Sequence, residues 1–186
     1  MTTRTLKLDP ARTAILVVDV QERLAAAMPP NAVQRLVKYA RALAGAAREL
    51  GIPVLATEQY PKGLGPTLPA LREALPAPPL QKMHFSCAPD PGFAAALAAT
   101  GRRQIVIAGM EAHVCVFQTA RDLAAAGFLV QVCADAVASR TEEHRRIGLE
   151  LCRDAGAVVT TAETAIFDLL GQAGTPAFKK VAPLVT

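Results

Sequence analysis

Apolar residues along this chain fall into two kinds of run that alternate. One kind is continuous and rich in β-branched residues: Thr13-Ala-Ile-Leu-Val-Val-Asp19, Pro53 to Thr57, Gln104 to Ala108, Phe128 to Cys133 and Ala157 to Thr160. Continuous hydrophobicity of this length predicts strands buried on both faces, as in a parallel sheet. Leu80-Gln-Lys82-Met is a weaker run that its context places as one more strand. The other kind follows helical spacing. Val33, Leu36, Val37, Ala40, Leu43, Ala44, Ala47 and Leu50 predict a helix that Gly51 ends. Met28-Pro29-Pro30-Asn31 before it reads as a stop followed by a cap.

Further along, Asp90-Pro91 is an N-cap with proline at the first helical position, for a helix to about Thr100 that Gly101 closes. Val114 to Ala126 reads as a helix that Cys115 opens. Ser139 with Glu142, and Thr160 with Glu163, have capping-box spacing, predicting helices from about Arg140 to Asp154 and up to about Leu170. Glu58-Gln-Tyr-Pro-Lys-Gly-Leu-Gly-Pro66 is too rich in proline and glycine to be regular, and Leu71 to Leu75 suits a short helical turn.

Six strands separated by helical segments specify an α/β domain. Right-handed crossovers make a three-layer, doubly wound, Rossmann-like sheet of six parallel strands the expected topology, covered by helices on both faces. Nothing along residues 1–186 marks an internal boundary, so one domain is expected. Ligands of such sheets bind outside the carboxyl ends of the strands. Asp19, Lys82 and the segment before Cys115 all fall at such ends. The three could converge on one pocket.

Composition narrows the function classes. Hydrophobic residues are 52% and charged residues 19% of the chain, which suits a packed globular protein. The net charge of +4 is spread over short pairs such as Arg102-Arg103 and Lys179-Lys180, and aromatic residues are only 4%, so nucleic acid is not an expected partner. Met1 to Pro10 is polar, and no run is long and apolar enough to span a bilayer, so neither a signal segment nor membrane insertion is expected. The four cysteines, Cys87, Cys115, Cys133 and Cys152, lack metal-finger or Cys-x-x-Cys spacing. Dispersed thiols of this kind suit a reducing cytoplasm, with all four reduced.

Cys115 has the most suggestive placement of the four. In Ile105-Val-Ile-Ala-Gly-Met-Glu-Ala-His-Val-Cys115 a strand breaks at Gly109, and the cysteine begins a helix. Backbone N–H groups and the helix dipole at that place are expected to lower a thiol's pKa and make it nucleophilic. Taken singly, Asp19 could be a cap, Lys82 a surface lysine and Cys115 a small buried apolar residue. Their equivalent positions at three strand ends make the set more telling than its members.

Val17-Val-Asp-Val-Gln21, Gln81-Lys82 with Phe85-Ser86, and Gly109-Met-Glu-Ala-His-Val-Cys115 resemble, in order and spacing, the signature segments of the isochorismatase-like cysteine hydrolases. The resemblance runs from about Thr13 to Phe167. Thr57-Glu-Gln-Tyr-Pro-Lys-Gly-Leu-Gly-Pro-Thr67 is similar to the branch called isochorismatase domain-containing proteins. It implies a catalytic triad of Asp19, Lys82 and Cys115, in which Asp19 takes the thiol proton, Lys82 stabilises charge and Cys115 attacks an amide-like carbonyl. It also implies a cis peptide at Met110–Glu111, and an oxyanion hole from the N–H groups of Glu111 and Cys115. A small-molecule substrate and a homo-oligomer, dimer or larger, are implied as well.

Two departures bear on the activity. Nicotinamidases of this family carry an Asp-x-His metal motif after the second strand, where this chain has Glu58-Gln59-Tyr60. No metal or other cofactor is therefore expected, and nicotinamidase activity is disfavoured. Isochorismatases that cleave a vinyl ether do not use the cysteine as a nucleophile, so Cys115 favours the amidase-like reading. A binding or regulatory protein that keeps the fold is the alternative from another class. Tyr60, Phe85 and Phe117 would suit either an apolar substrate pocket or an interface, and Gln21 is a further candidate substrate contact. His84, His113 and His144 lack metal-ligand spacing, and His113 reads as a turn residue.

Overall fold

A computed structural model describes residues 6–185. The polar stretch Met1 to Pro10 therefore falls partly outside the described residues. Six strands, β1 (Thr13–Val18), β2 (Val54–Gln59), β3 (Leu80–Lys82), β4 (Gln104–Met110), β5 (Leu129–Ala138) and β6 (Val158–Thr160), form one sheet in the order β3-β2-β1-β4-β5-β6. Every pairing in it is parallel. The continuous apolar runs have the expected cause: all six residues of β1 and all seven of β4 are buried. Their side chains alternate between two cores. Ile15, Val17, Val106 and Ala108 face one, which is closed by Leu36 and Leu43 of α2 (Pro30–Leu50) and Ile166 of α8 (Ala162–Leu170). Leu16, Val18, Ile105 and Ile107 face the other, closed by Phe93 and Leu97 of α5 (Pro91–Thr100), Leu123 of α6 (Phe117–Ala125) and Leu149 of α7 (Glu142–Asp154).

The chain builds outward from β1 through β2 to β3, then returns to the other side of β1 for β4, β5 and β6. That reversal puts the topological switch point between β1 and β4, the place where doubly wound sheets open a crevice for ligands. Asp19 follows β1 directly, and the segment leading to Cys115 follows β4. The two strands approach very closely there. Gly109 pairs with Val18 and has φ +135°, and a Cβ on it would run into the Val18 carbonyl. Only glycine fits that register without moving a central strand.

Several local expectations need correction. The cap of α2 is Pro29, with Pro30 at the first helical position, so Asn31 lies inside the helix. The stretch expected to be irregular after the second strand is not: β2 continues through Glu58 and Gln59, and Pro61–Leu64 forms one helical turn, α3. Short helices α1 (Glu22–Ala26), α4 (Pro69–Arg72) and α9 (Pro176–Val181) complete the set, with α4 earlier than the turn expected at Leu71 to Leu75. β4 runs on through Gly109 to Met110, and β5 extends five residues past Cys133. Its register against β4 jumps between Ile107 and Gly109, which accommodates the polar Asp135. Asp135 turns its carboxylate to the Ala162 N–H instead, at 2.8 Å.

The caps of α7 and α8 sit two residues and one residue later, respectively, than the capping-box spacing suggests. Thr141 caps α7 by accepting from the His144 N–H, and Thr161 caps α8 by accepting from the Thr164 N–H. Asp90, by contrast, caps α5 as expected, accepting from the Phe93 N–H, and Gly101 closes that helix in the left-handed conformation.

Candidate active site

Asp19 leaves β1 in a left-handed conformation, φ +51°, and its side chain is fully buried. Its backbone N–H donates to the Thr57 carbonyl at 3.1 Å, which ties the turn to β2. One carboxylate oxygen accepts from the Thr57 hydroxyl at 2.8 Å, and the other accepts from the Lys82 ammonium at 2.6 Å. Lys82 ends β3 and is 2% exposed. Its ammonium has three further acceptors: Gln59 Oε1 at 2.8 Å and the carbonyls of His84 and Phe85, each at 3.1 Å. Four acceptors around one ammonium hold it in place, and loop 83–86 wraps around it. A buried ion pair requires this kind of saturation, because desolvation would otherwise outweigh the attraction.

Cys115 sits in a five-residue π turn, Ala112–Val116, between β4 and α6. Its thiol lies close enough to the Asp19 carboxylate for the two groups to shift each other's proton affinity. The turn is fixed from three sides. The Met110–Glu111 peptide bond is cis. The Ala112 N–H donates to Ser139 Oγ at 3.1 Å, and the Glu111 carboxylate accepts from Arg140 Nε at 3.1 Å. From below, α7 packs directly on the backbone through Gly148, where a Cβ would lie 2.6 Å from the His113 nitrogen. Gly148→Ala is expected to push the turn away from Asp19. The result is slower iodoacetamide labelling of Cys115 and a loss of about 1–3 kcal/mol of stability from overpacking, read by peptide mapping and denaturant unfolding.

The electrostatics differ from the expectation for a helix-terminal cysteine. Burial, followed by the neighbouring Asp19 charge, pushes the Cys115 thiol well above its ordinary range, and Lys82 only partly opposes this. The thiol lies inside the π turn, two residues before α6 begins, and is 5% exposed, so burial outweighs any benefit from the dipole. Asp19 is also raised, again by burial, with Lys82, Thr57 and Cys115 pulling it back. Burial thus favours the protonated thiol and makes the Asp19 carboxylate a stronger base. That arrangement can pass one proton from sulfur to oxygen without drawing on solvent.

The other candidate residues are placed differently. Gln21 is fully buried and its amide is committed to backbone: Nε2 donates to the carbonyls of Gln59 and Gly65 at 3.0 and 2.6 Å, and Oε1 accepts from the Gln59 N–H at 2.8 Å. It frames the β2–α3 loop, with both amide hydrogens and one lone pair of its oxygen engaged by backbone. Tyr60, 48% exposed, and Phe85, 57% exposed, stand on the loops either side of Lys82, and Met83 beside them is 66% exposed. Phe117 is half-buried, two residues beyond Cys115, with the Arg121 guanidinium 5.5 Å from its ring. His113 bonds Ser139 Oγ through Nδ1 at 3.1 Å and lies against the His144 ring. All four cysteines are free and buried.

Where nicotinamidases carry Asp-x-His, the side chains here are engaged otherwise. Glu58 accepts from the Thr67 N–H and hydroxyl at 2.7 and 2.8 Å, and Gln59 joins Lys82. These residues do not form a metal donor set. A surface hollow of about 890 Å³ lies along α2 near Val37, Arg41 and Leu184 and includes none of the residues around Asp19. The chemistry points to the strand ends instead. Sequence reasoning missed the roles of Thr57 and Gln59, since single hydroxyls and amides carry no spacing signal, and it read Ser139 as a helix cap, whereas Ser139 Oγ accepts from the Ala112 N–H.

Known proteins give a consistent picture. The isochorismatase domain matches residues 13–164. Isochorismatase domain-containing protein 1 of Salmo salar is 36% identical over 95% of this chain, and the chain spans 62% of that protein's length. A Caenorhabditis elegans structure described as MAR1 ribonuclease superposes with a TM-score of 0.89 at 38% identity, covering 96% of this chain and 92% of that one. The Escherichia coli YcaC product, described as an octameric hydrolase of unknown specificity, has a TM-score of 0.89 at 27% identity over 98% and 91% of the two chains. With its parallel six-stranded sheet and strand-end cysteine, this chain belongs to the isochorismatase-like hydrolase family, alongside the isochorismatase domain-containing proteins.

Proposed function

We propose that the protein is a metal-independent cysteine hydrolase of small amide-like compounds. The observation that carries this reading is the buried Asp19 carboxylate, which is paired with the Lys82 ammonium and acts electrostatically on the neighbouring Cys115 thiol. In the first step the Cys115 sulfur bonds to the carbonyl carbon while its proton passes to Asp19. The N–H groups of Glu111 and Cys115 receive the developing oxyanion. As the C–N bond breaks, Asp19 returns the proton to the leaving amine or ammonia. Asp19, again a carboxylate, then deprotonates a water that attacks the thioester, and Cys115 regains its hydrogen on release of the acid.

Lys82 keeps Asp19 ionised between these transfers and does not itself need to reach the substrate. Tyr60, Phe85 and Phe117 supply an apolar approach to the thiol. The exposed Tyr60, Met83 and Phe85 also favour self-association, in keeping with the octamer described for the Escherichia coli relative. A cytoplasmic location fits the four free thiols.

A panel of small amides, ureas and hydroxamates tests the reading. The native protein is expected to hydrolyse at least one class, and Cys115→Ala to abolish that turnover while keeping the native melting curve. Turnover that survives in Cys115→Ala, or a native protein that only binds members of the panel, would replace the hydrolase with the binding-protein reading.

A further inference from the structure

Cys87 is completely buried, belongs to none of the catalytic steps, and lies on the loop that encloses Lys82. Its sulfur is 3.7 Å from the Thr57 hydroxyl oxygen, and that hydroxyl is 2.8 Å from Asp19 Oδ1. A threonine hydroxyl has one hydrogen to give and lone pairs to receive. An ionised carboxylate can only accept, so the Thr57 hydrogen goes to Asp19. With that hydrogen committed, any hydrogen bond along the 3.7 Å contact has Cys87 as donor, giving a chain from Cys87 S–H to Thr57 O–H to the Asp19 carboxylate.

We infer that Cys87 is a positioning residue that acts through Thr57 to set the basicity of Asp19, a role that rests on the acid–base function proposed above. A donor behind Thr57 polarises its O–H bond and strengthens its donation to the carboxylate. The ionised form of Asp19 is favoured, in opposition to the burial that raises its pKa. The backbone holds the sulfur where this role needs it. The Cys87 N–H donates at 3.0 Å to the hydroxyl of Thr119 on α6, the helix that follows Cys115. Two residues earlier, the Phe85 carbonyl accepts from Lys82.

The groups facing this chain are few. Asp19 meets Lys82, Thr57 and Cys115, and Cys87 meets Thr57 and Thr119, with Asp19 and Lys82 near enough to act on its charge. Ser86, next to Cys87, accepts from the Ala88 N–H at 3.2 Å and acts on the Asp122 carboxylate of α6, whose pKa it helps to keep low. Burial and Asp19 push the Cys87 thiol up to about 11, so it keeps the hydrogen that the chain requires. Packing alone would give a buried cysteine among apolar neighbours such as Phe93 and Leu97, and Cys87 does belong to that core. Packing does not require a hydrogen-bond donor, however, and the two roles separate on that point.

The test follows the pH dependence of iodoacetamide labelling at Cys115, whose acid limb reports the ionisation of Asp19. Cys87→Ala is expected to move that midpoint up by about half a pH unit. Cys87→Ser, of similar size to alanine but able to donate, should return it to the native value or below. Thr57→Val should raise the midpoint further, and Cys87→Ala should add nothing in that background. Equal midpoints in native, Cys87→Ala and Cys87→Ser proteins overturn the proposal, as does the same Cys87→Ala shift with and without Thr57. The alanine and serine variants decide the matter even if Thr57→Val does not fold. Failure of the hydrolase reading looks different: native Cys115 would show no selective labelling and no acid limb, which removes the proposal together with its basis.

Discussion

Asn at position 19 is expected to lower hydrolysis by about 10³-fold, within the range that a positioned acid–base group contributes. Asn keeps an acceptor for Thr57 but cannot take a proton from Cys115, protonate a leaving amine or activate water. The change should also alter how labelling depends on pH, not only how fast it is. In the native site the sulfur attacks as its proton moves to Asp19, so labelling rises with the ionisation of Asp19 and then levels off. Without Asp19 the thiol must release its proton to solvent. Removal of the carboxylate also removes one of the two main causes that raise the Cys115 pKa, while burial, the larger cause, remains. The Asp19→Asn protein should therefore show no plateau near neutrality, and its labelling should climb about tenfold per pH unit until the thiol itself ionises.

Lys82→Met is expected to destabilise the protein by about 3 kcal/mol, because it removes one partner of a buried ion pair. For a chain of this size, that corresponds to a fall in melting temperature of roughly 6–12 °C. The change leaves Gln59 Oε1 and the His84 and Phe85 carbonyls without the ammonium that gathers them. It also removes the nearest charge that favours Asp19 ionisation, so burial raises the Asp19 pKa further. A carboxyl whose folded pKa lies above its unfolded value is most compatible with folding when protonated. Its contribution is present in full below the unfolded pKa and is lost as pH rises through the folded one. The deficit of Lys82→Met relative to the native protein should therefore grow from acidic to mildly alkaline pH. Activity near neutrality should fall with it, since a protonated Asp19 is no base. Thermal melts across that pH range, with labelling rates for Cys115, check both effects.

The architecture was legible wherever burial alone determined the pattern. The central strands are buried on both faces, so their apolar runs mark them without ambiguity, and their order along the chain implied parallel crossovers. Asp19, Lys82 and Cys115 were legible for a related reason: strand ends are fixed by the runs before them, and three chemically distinct residues fell at those ends. What escaped was set by tertiary contacts. Glu58 and Gln59 looked like loop, yet they continue β2 because β3 pairs with them, register Glu58 to Gln81 and Gln59 to Lys82. Ser139 looked like a cap because of Glu142, but its hydroxyl is taken by the Ala112 N–H of the π turn. Thr57 and Cys87 carried no signal at all, since their meaning lies in a hydrogen-bond chain between residues 30 positions apart. The expected low thiol pKa failed for the same reason: local position implied a dipole, and burial decided the outcome.

Peptide-mapped iodoacetamide labelling of the native and Asp19→Asn proteins, followed from acidic to alkaline pH, tests the central claim most directly. The account predicts that Cys115 is labelled ahead of Cys87, Cys133 and Cys152 in the native protein, with an acid limb leading to a plateau that Asp19→Asn abolishes. Slow labelling of all four thiols at equal rates, or identical Cys115 profiles in the two proteins, would contradict it.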